Sequence, residues 1–153
     1  MKPILSLDFD GVIHSYTSGW MGPRTIPDMP VPGALAFIVV ALDHFEVAIF
    51  SSRSRYFGGR SAMKRWLRAQ YFQLGMLDSD EIPLWWYDRI CVGNRMEPWH
   101  LEVDSAAREV VRAIKWPLFK PPAMIGLDDR VLTFDGTFPA LSYLQSFRPW
   151  NKR

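Results

Sequence analysis

Short, unbroken apolar runs alternate along this chain with longer stretches whose apolar residues recur every three to four positions. Residues 4–9 (ILSLDF) form a run that meets acids only at its end, the pattern of a buried parallel strand that carries carboxylates to its C-terminal edge. Gly11 breaks it. From His14 to Pro32 the chain is punctuated by glycines and by Pro23, Pro27, Pro30 and Pro32, which predicts a long irregular loop of the kind that usually carries function. Residues 33–45 are apolar nearly all round, predicting a buried helix that starts just after Pro32. Residues 46–50 (EVAIF) read as a second buried strand ending at Ser51 and Ser52. Residues 61–74 place Met63, Trp66, Leu67, Tyr71 and Leu74 at helical spacing with Gly75 as the stop.

The second half is less regular. Residues 90–92 are expected to form a short strand, and Ser105 to cap a helix running through Ile114. Residues 123–127 read as another buried strand, ending in Asp128 and Asp129, and the Asp135-Gly136 pair within TFDGTF predicts a hairpin turn. Residues 141–147 close the chain as a helix. Strands alternating with helices predict an α/β fold around a mostly parallel sheet, with the binding site beyond the carboxyl ends of the strands.

Composition narrows this further. A chain of 153 residues with 48% hydrophobic content is expected to form one domain over its whole length. Its longest uncharged apolar run, residues 34–42, is far short of the ~20 residues that cross a bilayer. Asp8 and Asp10 interrupt the N-terminal apolar stretch before it can serve as a signal peptide, and the single Cys91 has no disulfide partner or metal-ligand spacing. The expectation is a cytoplasmic protein that makes no membrane contact. Net charge is only +2, which by itself does not call for a polyanionic partner. Between Glu46 and Asp78, however, no acid occurs, and Arg53, Arg55, Arg60, Lys64, Arg65 and Arg68 all fall there.

Three strands thus end in polar groups: Asp8 and Asp10, Ser51 and Ser52, Asp128 and Asp129. A parallel sheet brings them to one edge together with Lys120. Four carboxylates in one crevice repel, and such a set is tolerated chiefly around a divalent cation. An all-oxygen donor set favours Mg2+, since zinc would draw on His or Cys, and the three histidines have no ligand spacing.

The order of these motifs, DFDGV, a strand ending SSRS, the lysine of FKPP and then LDDR, resembles the haloacid dehalogenase-like (HAD) superfamily over roughly residues 4–136. A response-regulator receiver domain would instead carry its phosphorylated aspartate on a middle strand, which here ends in serine. The acid at position 10 points to the phosphoryl-transfer branch. The resemblance implies a Rossmann-like three-layer sandwich and a magnesium-dependent phosphomonoester hydrolase. Asp8 would be the nucleophile that forms an aspartyl-phosphate. Asp10 would be the general acid and base, with its backbone carbonyl on the metal. Ser51 would hydrogen-bond the phosphoryl oxygens, Lys120 would neutralise charge, and one or both of Asp128 and Asp129 would complete the metal site. A non-catalytic phosphate-binding or regulatory protein on the same fold is the alternative.

Neither stretch that could hold a cap over such a site is long enough for a large domain. An open site follows, suited to a phosphorylated small molecule or a nucleic-acid end; oligomeric state is not legible. Ser52, Arg53 and Arg55 are candidate substrate contacts beside Ser51. On the first loop His14, Tyr16, Trp20 and Arg24 either reach over the phosphate or pack back on the core. Arg60, Lys64, Arg65 and Arg68 lie opposite the apolar face of their helix, and a solvated face is preferred there over a basic rim that guides nucleic acid. Cys91 is expected to be a buried small hydrophobe, and the tryptophans at 85 and 86 core or interface residues.

Overall fold

The computed structural model describes residues 1–92, 97–133 and 135–152. The chain is an α/β structure in which three short strands, β1 (Ile4–Leu7), β2 (Glu46–Ile49) and β3 (Ile125–Leu127), form a parallel sheet in the order β2–β1–β3. Five helices are found among the described residues: α1 (Ala34–His44), α2 (Gly59–Gly75), α3 (Leu84–Cys91), α4 (Trp99–Ala113) and α5 (Leu141–Ser146), with a 3₁₀ turn at Ser52–Arg55 between β2 and α2. None is long and apolar enough to cross a membrane.

The central strand sets the register. Leu7 lies between Ile49 on one side and Leu127 on the other, and the ladder continues just past the strands, with the Asp8 N–H donating to the Leu127 carbonyl (2.9 Å) and the Phe50 N–H to the Leu7 carbonyl (3.0 Å). The residues that follow β1, β2 and β3 therefore leave the sheet side by side. Beyond β2, Lys115 adds a one-residue parallel bridge opposite Ala48.

The core is built on the β1–β2 side. Leu5, Leu7, Phe9, Val47 and Ile49 pack with Ile38 of α1, Met63, Leu67 and Tyr71 of α2, Trp86 of α3 and Val103, Ala107 and Val110 of α4. Polar tips inside it find backbone partners: the Tyr71 hydroxyl donates to the Leu35 carbonyl, Trp86 Nε1 to that of Tyr71 and Trp99 Nε1 to that of Gly75. Such bonds let the aromatic bodies be buried without stranding a donor.

Several expectations are corrected. Residues 90–92 are not a strand: Ile90 and Cys91 end α3, where Trp86 and Ile90 share a buried helical face. Cys91 itself is exposed, since it falls off that stripe. Ser105 is not the start of its helix; α4 starts six residues earlier, behind Pro98, and runs through it. The last strand is shorter than expected and all three of its residues are exposed, because no described element covers its outer side. Among the described residues no strand flanks Asp135-Gly136, where the Asp135 carboxylate accepts the Thr137 N–H in a local turn; Phe134, within the expected hairpin, lies outside the described residues. The boundaries of α1, β2, α2 and α5 fall within a few residues of expectation.

Candidate active site

At the carboxyl edge of the sheet a cavity of about 250 Å³ is lined by Asp8, Asp10, Tyr16, Phe50, Ser51, Ser52, Asp128 and Arg130. A second cavity of about 330 Å³ shares Asp8, Phe50 and Asp128 with it and adds Lys120. The topology brings Asp8, Asp10, Ser51, Ser52, Lys120 and Asp128 together across some 120 residues of sequence, as expected of a parallel sheet. Of the two remaining candidates on the serine strand, Arg55 is exposed and outside these cavities, and Arg53 is buried behind them.

Asp8 and Asp10 do different work although they are two residues apart. Among the described residues the Asp8 carboxylate accepts only the Phe9 N–H (2.7 Å). Burial, helped by Asp128, Asp129 and Asp10, pushes its pKa up to about 7 against that bond. Asp10, by contrast, is saturated. Arg53 Nε reaches both of its oxygens (2.8 and 3.1 Å) and His14 Nδ1 lies 2.9 Å from Oδ1. The Asp28 N–H donates to His14 Nε2 (3.1 Å), which leaves the ring proton on Nδ1, where it donates to Asp10.

Arg53 has no exposure at all. Besides Asp10 it donates through Nη1 to the carbonyls of Gly22 and Thr25 (2.8 and 3.0 Å) and lies 4.8 Å from the Trp20 ring centroid. The guanidinium expected to anchor substrate thus spends Nε on Asp10 and Nη1 on the first loop, while its buried Nη2 has no hydrogen-bond partner among the described residues. His14 is also fully buried and reaches inward, away from any position over a phosphate. Asp28 closes the same loop: burial opposes its ionisation, but the hydroxyl and N–H of Ser18 outweigh that and hold its carboxyl below the ordinary range.

Ser51 shapes the turn that follows β2. Its Oγ accepts the Arg53 N–H (3.3 Å) while its own N–H donates to Ser54 Oγ (3.2 Å), a reciprocal cap on the 3₁₀ turn. That leaves the hydroxyl hydrogen of a buried, cavity-lining serine as a donor.

On the β3 side the acids are far less satisfied. Asp8, Asp128 and Asp129 each place a carboxylate oxygen within 4.8 Å of the others. Asp128 is exposed and accepts the Arg130 N–H. The Asp129 side chain has no exposure, yet neither oxygen has a hydrogen-bond partner among the described residues; Arg130 Nε is 3.8 Å away. Burial raises the Asp129 pKa, against the pull of Arg130 and with the help of Asp128. Such a buried, unpartnered carboxylate beside two others is a donor set that fits a hard cation. Its approach depends on Gly11, at φ 86°, where a Cβ would lie 2.3 Å from Asp129 Oδ2. Any side chain at that position would displace the acid.

Two contacts near the cavity have no counterpart among the sequence-derived candidates. Arg130 lines the cavity and lies 5.6 Å from the Tyr16 ring centroid. Trp150 donates through Nε1 to the Gly11 carbonyl (2.7 Å), and Asn151 and Lys152 donate to those of Ser15 and Thr17. The tail of the chain thereby clasps the first loop from 135 to 139 residues away, a contact with no local signal in the sequence. Comparison with protein-family models, with curated proteins and with solved structures gave no match.

Proposed function

We propose that this chain is a magnesium-dependent phosphomonoester hydrolase of the HAD type, with the Rossmann-like core of that superfamily and no large cap. The observation that carries the reading is the meeting of Asp8 with Asp128 and Asp129 beside Ser51, at the one edge where the ends of β1, β2 and β3 converge. Asp8, Asp128 and Asp129, with the backbone carbonyl of Asp10, would hold the ion. A bound Mg2+ would supply charge neutralisation for the phosphate and for the crowded carboxylates.

The remaining work falls to the chain's own groups. Asp8 attacks phosphorus in line; the bond from phosphorus to the ester oxygen breaks as the bond to the Asp8 carboxylate forms. Asp10 gives a proton to the leaving oxygen and afterwards takes one from the water that attacks the phosphoryl-aspartate, returning Asp8 and inorganic phosphate. Arg53 and His14 hold the Asp10 carboxylate in one orientation for both steps. The Ser51 hydroxyl donates to the phosphoryl oxygens, and Lys120, exposed and lining the adjoining cavity with Asp8, balances their charge. The open edge suits a phosphorylated small molecule or a nucleic-acid end. A lone exposed cysteine fits a cytoplasmic setting.

The test is a panel of phosphomonoesters assayed with Mg2+ and with excess EDTA. Phosphate release that needs the metal and vanishes in Asp8→Asn is expected. Release that persists in EDTA, with metal content shown to be nil, would contradict the reading.

A further inference from the structure

A basic groove lies between α2 and α4, built from two segments some forty residues apart. A cavity of about 380 Å³ there is lined by Lys64, Arg65 and Arg68 of α2, Arg108 and Arg112 of α4, and Trp116. It runs into a neighbouring hollow of about 550 Å³ that shares Arg65 and Arg68 and is floored by Phe72. Five cations face one acid. That acid, Asp104, accepts from both Arg68 and Arg108, so it orients two guanidinium groups more than it neutralises the set. The arginines hold its carboxyl below the ordinary range even though burial opposes this. Arg65 and Arg112 are exposed and have no ion pair among the described residues, and Lys64 lies 5.8 Å from the Trp116 ring centroid.

Apart from Asp104, the charges of α4 sort by flank. Glu102 and Glu109 line the opposite side of that helix, facing α3, while Arg108 and Arg112 face α2. The expectation of a solvated face rested on the four cations of residues 60–68 alone; Arg108 and Arg112 double back from a distant segment to oppose them.

We infer that this groove binds the backbone of single-stranded nucleic acid, with Lys64, Arg65, Arg68, Arg108 and Arg112 as phosphate contacts and Trp116 as a stacking face. A duplex is too wide to enter between neighbouring helices whose axes lie about 8–10 Å apart. From Lys64 to Gln73 the groove follows nine residues of α2, about 13 Å, which accommodates about three successive phosphates. Guanidinium groups beside a half-buried indole at the end of the groove suit a strand that offers both phosphates and base faces; an acidic peptide offers only carboxylates. This inference goes beyond the hydrolase reading and does not depend on it.

The experiment is fluorescence anisotropy with a labelled oligothymidylate that carries no terminal phosphate, so that the carboxylate site is not engaged. Wild type is expected to bind with affinity falling about twentyfold between 50 and 200 mM salt, the slope for about three phosphate contacts on a single strand. Arg65→Gln/Arg108→Gln/Arg112→Gln should lose at least about tenfold in affinity and most of that slope, with an unchanged circular-dichroism melt, whereas Asp8→Asn should bind as wild type does. Arg68 is kept because it ties α2 to α4. Should the triple variant fail to fold, Arg65→Glu, at an exposed position without an ion pair, should still weaken binding. Affinity unchanged in the variants, wild-type binding without salt dependence, or equal competition by polyglutamate would overturn the inference.

Discussion

Ile49 and Leu127 flank Leu7 at the same register of the sheet, yet Ile49 has no exposure and Leu127 is 40% exposed. The groups that follow each strand differ in the same sense. On the β2 side Ser51 caps its turn, and Arg53 and His14 hold both oxygens of Asp10. Toward β3, Asp128 and Lys120 are exposed and the buried Asp129 side chain has no hydrogen-bond partner among the described residues. On one wall the protein itself pairs the carboxylate, leaving only Arg53 Nη2 without a hydrogen-bond partner among the described residues. The other holds negative charge that no described side chain fully offsets, which is the physical case for a cation there.

The sharpest way to break this contrast is at Asp8, which stands between the two walls. Asp8→Asn should lower turnover by at least about a thousandfold while the fold is retained, since an amide does not attack phosphorus. A steady-state assay retaining a tenth of the wild-type rate would end its assignment as nucleophile.

Arg53 tests the paired wall. Arg53→Met leaves the Asp10 carboxylate buried with only His14, and should cost about 3–5 kcal/mol in denaturant unfolding. Arg53→Lys should recover little of it, because one ammonium does not reach Asp10, Gly22 and Thr25 together. A loss below about 1 kcal/mol would mean that water or another group takes over the pairing.

The two neighbours of Leu7 give a matched pair. Ile49→Ala should destabilise by about 2–5 kcal/mol, the cost of a buried cavity, and Leu127→Ala by about 1 kcal/mol or less. Equal costs would show that β3 is covered in solution.

The smallest effect is on pH dependence. Asp8 has a folded pKa of about 7 against an ordinary value of 3.8, so between these values the folded state binds the extra proton. Stability of the metal-free protein should therefore fall as pH rises from about 4 to 7 and level off above, by on the order of 1–3 kcal/mol after solvent screening. Asp8→Asn should flatten this slope, and Mg2+ should raise the melting temperature more at pH 7 than at pH 5. A rise in stability over that range that persists after metal removal, with Asp8→Asn no different, would contradict the carboxylate account.

Much of this was legible in the sequence because it is local. The apolar run ending in Asp8 and Asp10, the apolar stretch before His44 and the helical spacing from Met63 to Leu74 each state their element within a dozen residues, and parallel pairing then gathers the strand ends. The partners of individual groups were not legible. Arg53 reads as a free cation next to Ser51 until the fold places Asp10 and the carbonyls of Gly22 and Thr25 around it. Cys91 and the short apolar run around it look like a strand because three residues are too few to separate a period of two from one of 3.6. The clasp of Trp150 on Gly11 and the facing of Arg108 to Arg65 across the groove are tertiary facts, with no periodicity to announce them.

The central claim is that Asp8 carries the phosphoryl group during turnover. The direct measurement is mass spectrometry of protein quenched in acid while hydrolysing a good phosphomonoester in Mg2+. The account predicts a phosphoryl group on the peptide that contains Asp8, removed by hydroxylamine and missing from Asp8→Asn. Steady phosphate release with that peptide unmodified, or with the label on another residue, would contradict it.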